Sequence, residues 1–181
     1  MRPDDIMFSA SVRAEQTRRG SRETYARRAA RDGFAAELSD DAIAFICART
    51  SAYLATSGAD GQPYVQHRGG PVGFIKMLDR RTLAFAEYPG NRQFITSGNL
   101  IENSRAFLFL MDYANARRLK LWGDAKVAAD PELLGQLLAP DGIAVDRALV
   151  FMIGAIDWNC SKYIPRLAPE TNQAASENRQ T

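Results

Sequence analysis

The apolar positions change period near residue 50. Ser39-Asp40-Asp41 followed by AIAFICAR opens like a helix, with Ser39 as N-cap and two carboxylates at the positive end of its dipole. Ile43, Ile46 and Cys47 would share its buried face, which makes Cys47 a small core residue. After it the spacing is extended. Ala52-Tyr53-Leu54-Ala55-Thr56-Ser57 is strand-like, Gly58-Ala59-Asp60-Gly61 is a turn, and Gln62 to Arg68 returns as the second strand of a hairpin. Gly69-Gly70-Pro71 interrupts, Val72 to Leu78 resumes, Asp79-Arg80-Arg81 turns, and Thr82 to Glu87 alternates again. Four strands in such close succession predict an antiparallel meander.

Between Tyr88 and Ser104, Phe94, Ile95, Leu100 and Ile101 suit a loop followed by a short helix. Arg105 to Met111 is continuously apolar after its first residue, so a strand buried on both faces is expected. In Arg117 to Val127, Leu119 and Leu121 point one way and Arg118, Lys120 and Trp122 the other. Asp130-Pro131-Glu132 starts another short helix with Pro131 at the tolerated N1 position, and Arg147 to Asp157 reads as the last strand. The expected fold class is α+β, mainly β: six or seven strands in a small closed or partly closed barrel with a few helices. A helical arm over 1–38, a barrel domain over 39–168 and a polar, disordered tail over 169–181 complete the expected organisation.

Composition narrows the chemistry. The chain has 181 residues, 46% hydrophobic and 24% charged, which suits one globular domain that needs neither metal nor disulfide for its core. One histidine (His67) and two cysteines (Cys47 and Cys160) provide no zinc-ligand spacing, and a Ser-His-Asp or Cys-His site would have to run through His67. No apolar run has the length of a signal peptide or approaches the roughly 18 residues of a membrane span, so a cytoplasmic protein with reduced thiols is expected. The net charge of +2 is unevenly placed: residues 1–31 carry eight arginines against four acids. That excess reads as a solvated helix face, with Arg22 to Arg31 able to pack on a neighbouring subunit.

Three places concentrate polar groups. Gln66-His67-Arg68-Gly69-Gly70-Pro71 combines glycines that allow close backbone approach with an arginine fork suited to phosphate; a bulge at a barrel corner would use the same residues. Asn91, Arg92 and Gln93 with Thr96, Ser97 and Asn99 would supply donors at a helix N-terminus if a helix starts near Asn91, or would simply cap it. Arg118, Lys120 and Trp122 place two cations and an indole in one row. That row is too small for nucleic-acid binding, which needs interleaved aromatics and cations along a groove.

These places, in order and spacing, resemble the pyridoxamine 5′-phosphate oxidase-like flavin proteins. The residues that carry the likeness are Ala55-Thr56, Asp60 to Tyr64, QHRGGPVGF at 66–74, TLAFAEYPGNRQFITSGNLIENSRAFLFL at 82–110 and RRLKLWG at 117–123. The resemblance implies an antiparallel FMN-binding split barrel of six to seven strands with two to four flanking helices. It further implies a homodimer with FMN in a groove at the subunit interface. It assigns cofactor contacts to Gln66, His67, Arg68, Gly69, Gly70 and Pro71, to Asn91, Arg92, Gln93, Thr96, Ser97 and Asn99, and to Arg118, Lys120 and Trp122. Arg118 falls where the family has a glutamine.

Two departures follow. Where the family has a Ser-Arg-Lys phosphate motif, this chain has Phe94, Ile95 and Thr96, which leaves Arg68, Arg92, Lys120 or a helix N-terminus to meet the phosphate. The Trp and Arg-x-His elements that hold pyridoxal phosphate in the oxidase proper have no counterpart after Arg147, so that activity is not expected. Trp158, Asn159, Cys160, Lys162 and Arg166 are instead candidates for a different substrate pocket, unless Trp158 and Ile164 only anchor the terminus. The implied function is a small FMN oxidoreductase with no catalytic side chain and no metal, acting on a small molecule. NADH or NADPH would bind transiently, since no Rossmann GxGxxG is present. The alternative is a barrel that binds or stores flavin, haem or deazaflavin without turnover.

Overall fold

The computed structural model describes residues 2–31, 33–88, 90–137, 143–158 and 162–167. The expected tail over 169–181 lies outside them. Seven strands form one antiparallel sheet: β1 (Ser51–Ser57), β2 (Pro63–Gly69), β3 (Lys76–Asp79), β4 (Thr82–Ala86), β5 (Arg105–Asp112), β6 (Arg117–Ala128) and β7 (Ala148–Trp158). Their order is β2-β1-β5-β6-β7-β4-β3. The expected four-strand meander is therefore corrected. β1-β2 and β3-β4 are hairpins at opposite ends of the sheet, because β1 pairs next with β5 and β4 with β7. Residues from both ends, Leu54 and Leu83 among them, nevertheless enter one buried cluster with Leu108, Leu121 and Phe151, so the sheet curls around a single core. It is an open, split barrel, with β2 and β3 at its edges.

Helix α4 (Asp40–Cys47) closes one end of the core through Ala42, Phe45 and Ile46, and the Ser39 side chain accepts from the Ala42 N–H as an N-cap. Cys47 is only partly buried and is a free thiol. Helices α1 (Pro3–Met7), α2 (Ala10–Arg18) and α3 (Arg22–Arg31) make up the N-terminal arm, and α5 (Ile95–Glu102) and α6 (Pro131–Gly135) join α4 around the sheet. Pro131 stands at the start of α6, where Asp130 caps the Leu133 N–H.

β5 departs from the expected double burial. Ala106, Leu108 and Leu110 are buried, while Phe107, Phe109 and Met111 on its other face are only partly covered. The sheet thus has an inner face on the core and an outer face that is partly open. The arm covers the β7 part of this outer face. Ile6 of α1 sits on Gly154, where a Cβ would come within 2.7 Å of its Cδ1, and Arg28 of α3 pairs with Asp157. No helix among the described residues is long and apolar enough to cross a membrane.

Candidate functional site

β2 and the end of β4 are not hydrogen-bonded to each other, yet side chains bridge them. Opposite residues of an antiparallel pair share a face, so Tyr64, Gln66 and Arg68 follow Thr56, Leu54 and Ala52 onto the inner face. At the sheet edge that face opens into a cavity of about 470 Å³. Tyr64, Gln66 and Arg68 form one wall, and Glu87 with Tyr88 form the opposite one. The segment 90–94, the first turn of α5, and Ala144, Asp146 and Arg147 before β7 complete it.

An ion pair spans the seam between the walls. Arg68 Nη2 donates to Glu87 Oε1 at 3.2 Å, and both side chains are 10% exposed. Glu87 is fixed from behind, because its N–H donates to the Arg147 carbonyl at 2.9 Å. Arg147 Nε lies 3.8 Å from Glu87 Oε2 and 3.4 Å from Asp146 Oδ1, too far for a strong hydrogen bond, and its guanidinium carbon sits 4.9 Å over the Phe94 ring. Arg68 Nε, Arg147 Nε and Glu87 Oε2 are buried and have no hydrogen-bond partner among the described residues. Buried polar atoms are rarely left so.

The rim of the cavity is conformationally unusual. Arg92 (φ 59°) and Phe94 (φ 53°) are both left-handed, a conformation that costs a non-glycine residue on the order of 1 kcal/mol. Asn91 Oδ1 accepts from the Gln93 N–H at 3.2 Å and Phe94 O from the Gly98 N–H at 2.8 Å, so the rim turns directly into α5. Inside, Thr96 Oγ1 donates to Gln66 Oε1 at 2.8 Å and orients that amide. Burial pushes the Tyr88 phenol above its ordinary pKa.

The expected cofactor residues divide between the two sheet faces. Gln66, Arg68, Asn91, Arg92, Gln93 and Thr96 line the cavity. His67 alternates to the outer face, where its Nε2 shares a 3.0 Å hydrogen bond with Ser51 Oγ and its ring meets Tyr53. Arg118, Lys120 and Trp122 lie on that outer face as well; Lys120 Nζ pairs with Asp157 Oδ2 at 3.1 Å and Trp122 packs on Phe107. Gly69, Gly70 and Pro71 do not line the cavity. A Cβ on Gly70 would collide with Phe74 at 2.5 Å, so this glycine serves packing. Ser97 Oγ is buried without a hydrogen-bond partner among the described residues, while Asn99 donates to Thr56 Oγ1 and ties α5 to β1. The helix begins at Ile95 and not near Asn91.

The substrate-pocket candidates do not converge on this cavity. Trp158 packs edge-on against Phe45 with the Arg117 guanidinium 4.5 Å over its ring, which makes it a core anchor. Lys162 and Arg166 are exposed and do not line the cavity, and Asn159 and Cys160 lie outside the described residues. Glu87 and Arg147 were not on the expected list. Their signal was a charged residue at the end of an apolar strand. No group of three or more metal-ligating side chains occurs among the described residues.

A family model described as pyridoxamine 5′-phosphate oxidase matches residues 38–149. No curated protein matches the sequence. Among solved structures the chain is similar to HupZ of Group A Streptococcus (14% identity, TM-score 0.52, covering 72% of this chain and 99% of that one). It is also similar to a pyridoxamine 5′-phosphate oxidase candidate from Lactobacillus delbrueckii (20% identity, TM-score 0.52, 68% and 95%). A conserved hypothetical protein from Mycobacterium tuberculosis has the same relation (17% identity, TM-score 0.51, 76% and 95%). At these identities the structures show a shared fold alone. The family match runs from Leu38, the first residue of the barrel's buried cluster, to the start of its last strand, and on that ground the chain belongs to the pyridoxamine 5′-phosphate oxidase family.

Proposed function

We propose that this protein is a cytoplasmic, homodimeric FMN-binding oxidoreductase that acts on a small molecule, with its flavin in the cavity at the β2–β4 seam. The observation that supports it is the donor set around that cavity. The amides of Gln66, Asn91 and Gln93 suit the polar edges and hydroxyls of a flavin nucleotide, and Tyr64, Tyr88 and Phe94 supply flat surface. Of the four groups that could replace the missing phosphate cations, Lys120 is paired with Asp157 on the opposite face and Arg68 is held by Glu87. Arg92, exposed at the rim and beside the first turn of α5, is then the principal phosphate partner, with the N–H groups of that turn behind it. FMN, when bound, supplies the hydride or electron transfer. The chain orients it through Gln66, whose amide Thr96 holds, and shields it between the two walls.

The test is direct. Protein incubated with FMN and passed through gel filtration should keep flavin absorbance, and NADH or NADPH should bleach it. Arg92→Ala should weaken FMN at least tenfold, as the loss of a charge-assisted hydrogen bond does. Protein that emerges colourless defeats the cofactor assignment. A colour that neither nicotinamide bleaches favours a binding module over an enzyme using those donors.

A further inference from the structure

We propose that Arg147, held on the Phe94 ring, anchors the carboxylate of a small, monoanionic substrate in the cavity. The proposal rests on the reading of this cavity as the flavin pocket and names the substrate class of that same site. Three observations lead to it. First, the Arg147 guanidinium is preorganised but uncommitted. It lies 4.9 Å over the Phe94 ring, its Nε has no hydrogen-bond partner, and its contacts to Glu87 and Asp146 are long, at 3.8 and 3.4 Å. An arginine stacked on a ring keeps its N–H edge free for bidentate recognition of a carboxylate. Its own backbone, hydrogen-bonded to Glu87 N–H, fixes where that edge can reach.

Second, the charges on the cavity wall do not cancel. Arg68, Arg147 and Glu87 sum to one net positive charge at the seam, and Asp146 is 80% exposed and well screened. One carboxylate neutralises this triad, and the flavin phosphate is left to Arg92 at the rim. Third, Phe94 is held in a left-handed conformation at the helix entrance, which places its ring under Arg147 instead of in the core. The strain is local to the platform that the proposal requires.

Calorimetry on the full chain, without flavin and again after loading with FMN, tests this with benzoate and its neutral isostere benzamide as probes. Benzoate should bind at least tenfold more tightly than benzamide. Arg147→Gln should abolish that preference, and Arg147→Lys should restore part of it. Phe94→Leu, which keeps the cation and removes the platform, should weaken benzoate several-fold and serves if Arg147→Gln does not fold. Equal binding of benzoate and benzamide, no heat with benzoate, or a full preference retained in Arg147→Gln or Phe94→Leu overturns the proposal. Benzoate preference in a chain that binds no FMN would defeat the flavin reading and leave the carboxylate anchor standing, so the two failures are distinguishable.

Discussion

Asp112 illustrates how a single buried charge is kept ionised in this fold. Burial pushes its carboxyl pKa up, but the Asn115 side chain and backbone N–H, at 2.9 and 3.0 Å, together with Arg49 at 3.1 Å, hold it below the ordinary 3.8. A depressed folded-state pKa stabilises fully above the unfolded value and is lost as pH falls through the folded one. Asp112→Asn should therefore cost about 2 kcal/mol at pH 7, and its deficit should shrink once the pH drops below 3.8, a trend that urea unfolding at several pH values will read. Two glycines give a sharper contrast. A Cβ on Gly123, opposite the β7 bulge at Gly154, would collide with the Met152 carbonyl, so Gly123→Ala should destabilise by about 2 kcal/mol or more, on the order of a strained core insertion. Gly98, inside α5, has nothing within 4 Å of its would-be Cβ, and Gly98→Ala should add roughly 0.5–1 kcal/mol. Equal melting temperatures for the two variants would contradict the packing described at the bulge.

At the scale of elements, legibility followed the range of the forces involved. Strand spans such as Arg117–Ala128 and the helix Arg22–Arg31 were readable because alternation and helix propensity are local. Pairing was not: β1 meets β5 some fifty residues away, and only the shared core decides that partner. β5 misled for a related reason, since Phe107 and Phe109 are apolar yet lie on the outer face. The start of α5 carried no capping side chain to announce it, because a left-handed Phe94 makes the turn. Of the cavity lining, Gln66, Arg68, Asn91, Arg92, Gln93 and Thr96 were legible in the sequence. Period-two alternation already separates Gln66 and Arg68 from His67, but a motif read as one string hides the two faces. Glu87 and Arg147 meet where β4 runs beside β7, from sixty residues apart, which no local pattern reports. The rim yields a prediction of its own. Arg92→Gly relieves a left-handed arginine and should raise unfolding free energy by up to about 1 kcal/mol while it weakens FMN, so stability and cofactor affinity move in opposite directions. Loss of both together would show that the rim is not strained.

For the whole molecule, the outer face is where the proposed dimer would form. The arm covers its β7 part, through Ile6 on Gly154 and Arg28 on Asp157, and leaves Val65 exposed and Tyr53, Phe107, Phe109 and Trp122 only partly covered. Val65 is 59% exposed on this aromatic surface. A contiguous apolar patch of this kind is what a self-complementary twofold interface buries, and any charge placed in such an interface appears twice. Parent protein should sediment as a dimer, and Val65→Arg as a monomer with an unchanged far-ultraviolet circular dichroism spectrum. The same experiment weighs the split between the two groups of expected cofactor residues. Arg118, Lys120 and Trp122 cannot reach their own cavity through the sheet, so they can contribute to a flavin only across the interface, in the cavity of the second chain. FMN affinity should then fall when the dimer is broken, although Val65 lines no part of the cavity. A monomeric Val65→Arg that holds FMN as tightly as the parent would remove those three residues from the site and leave the seam of a single chain as the whole binding unit.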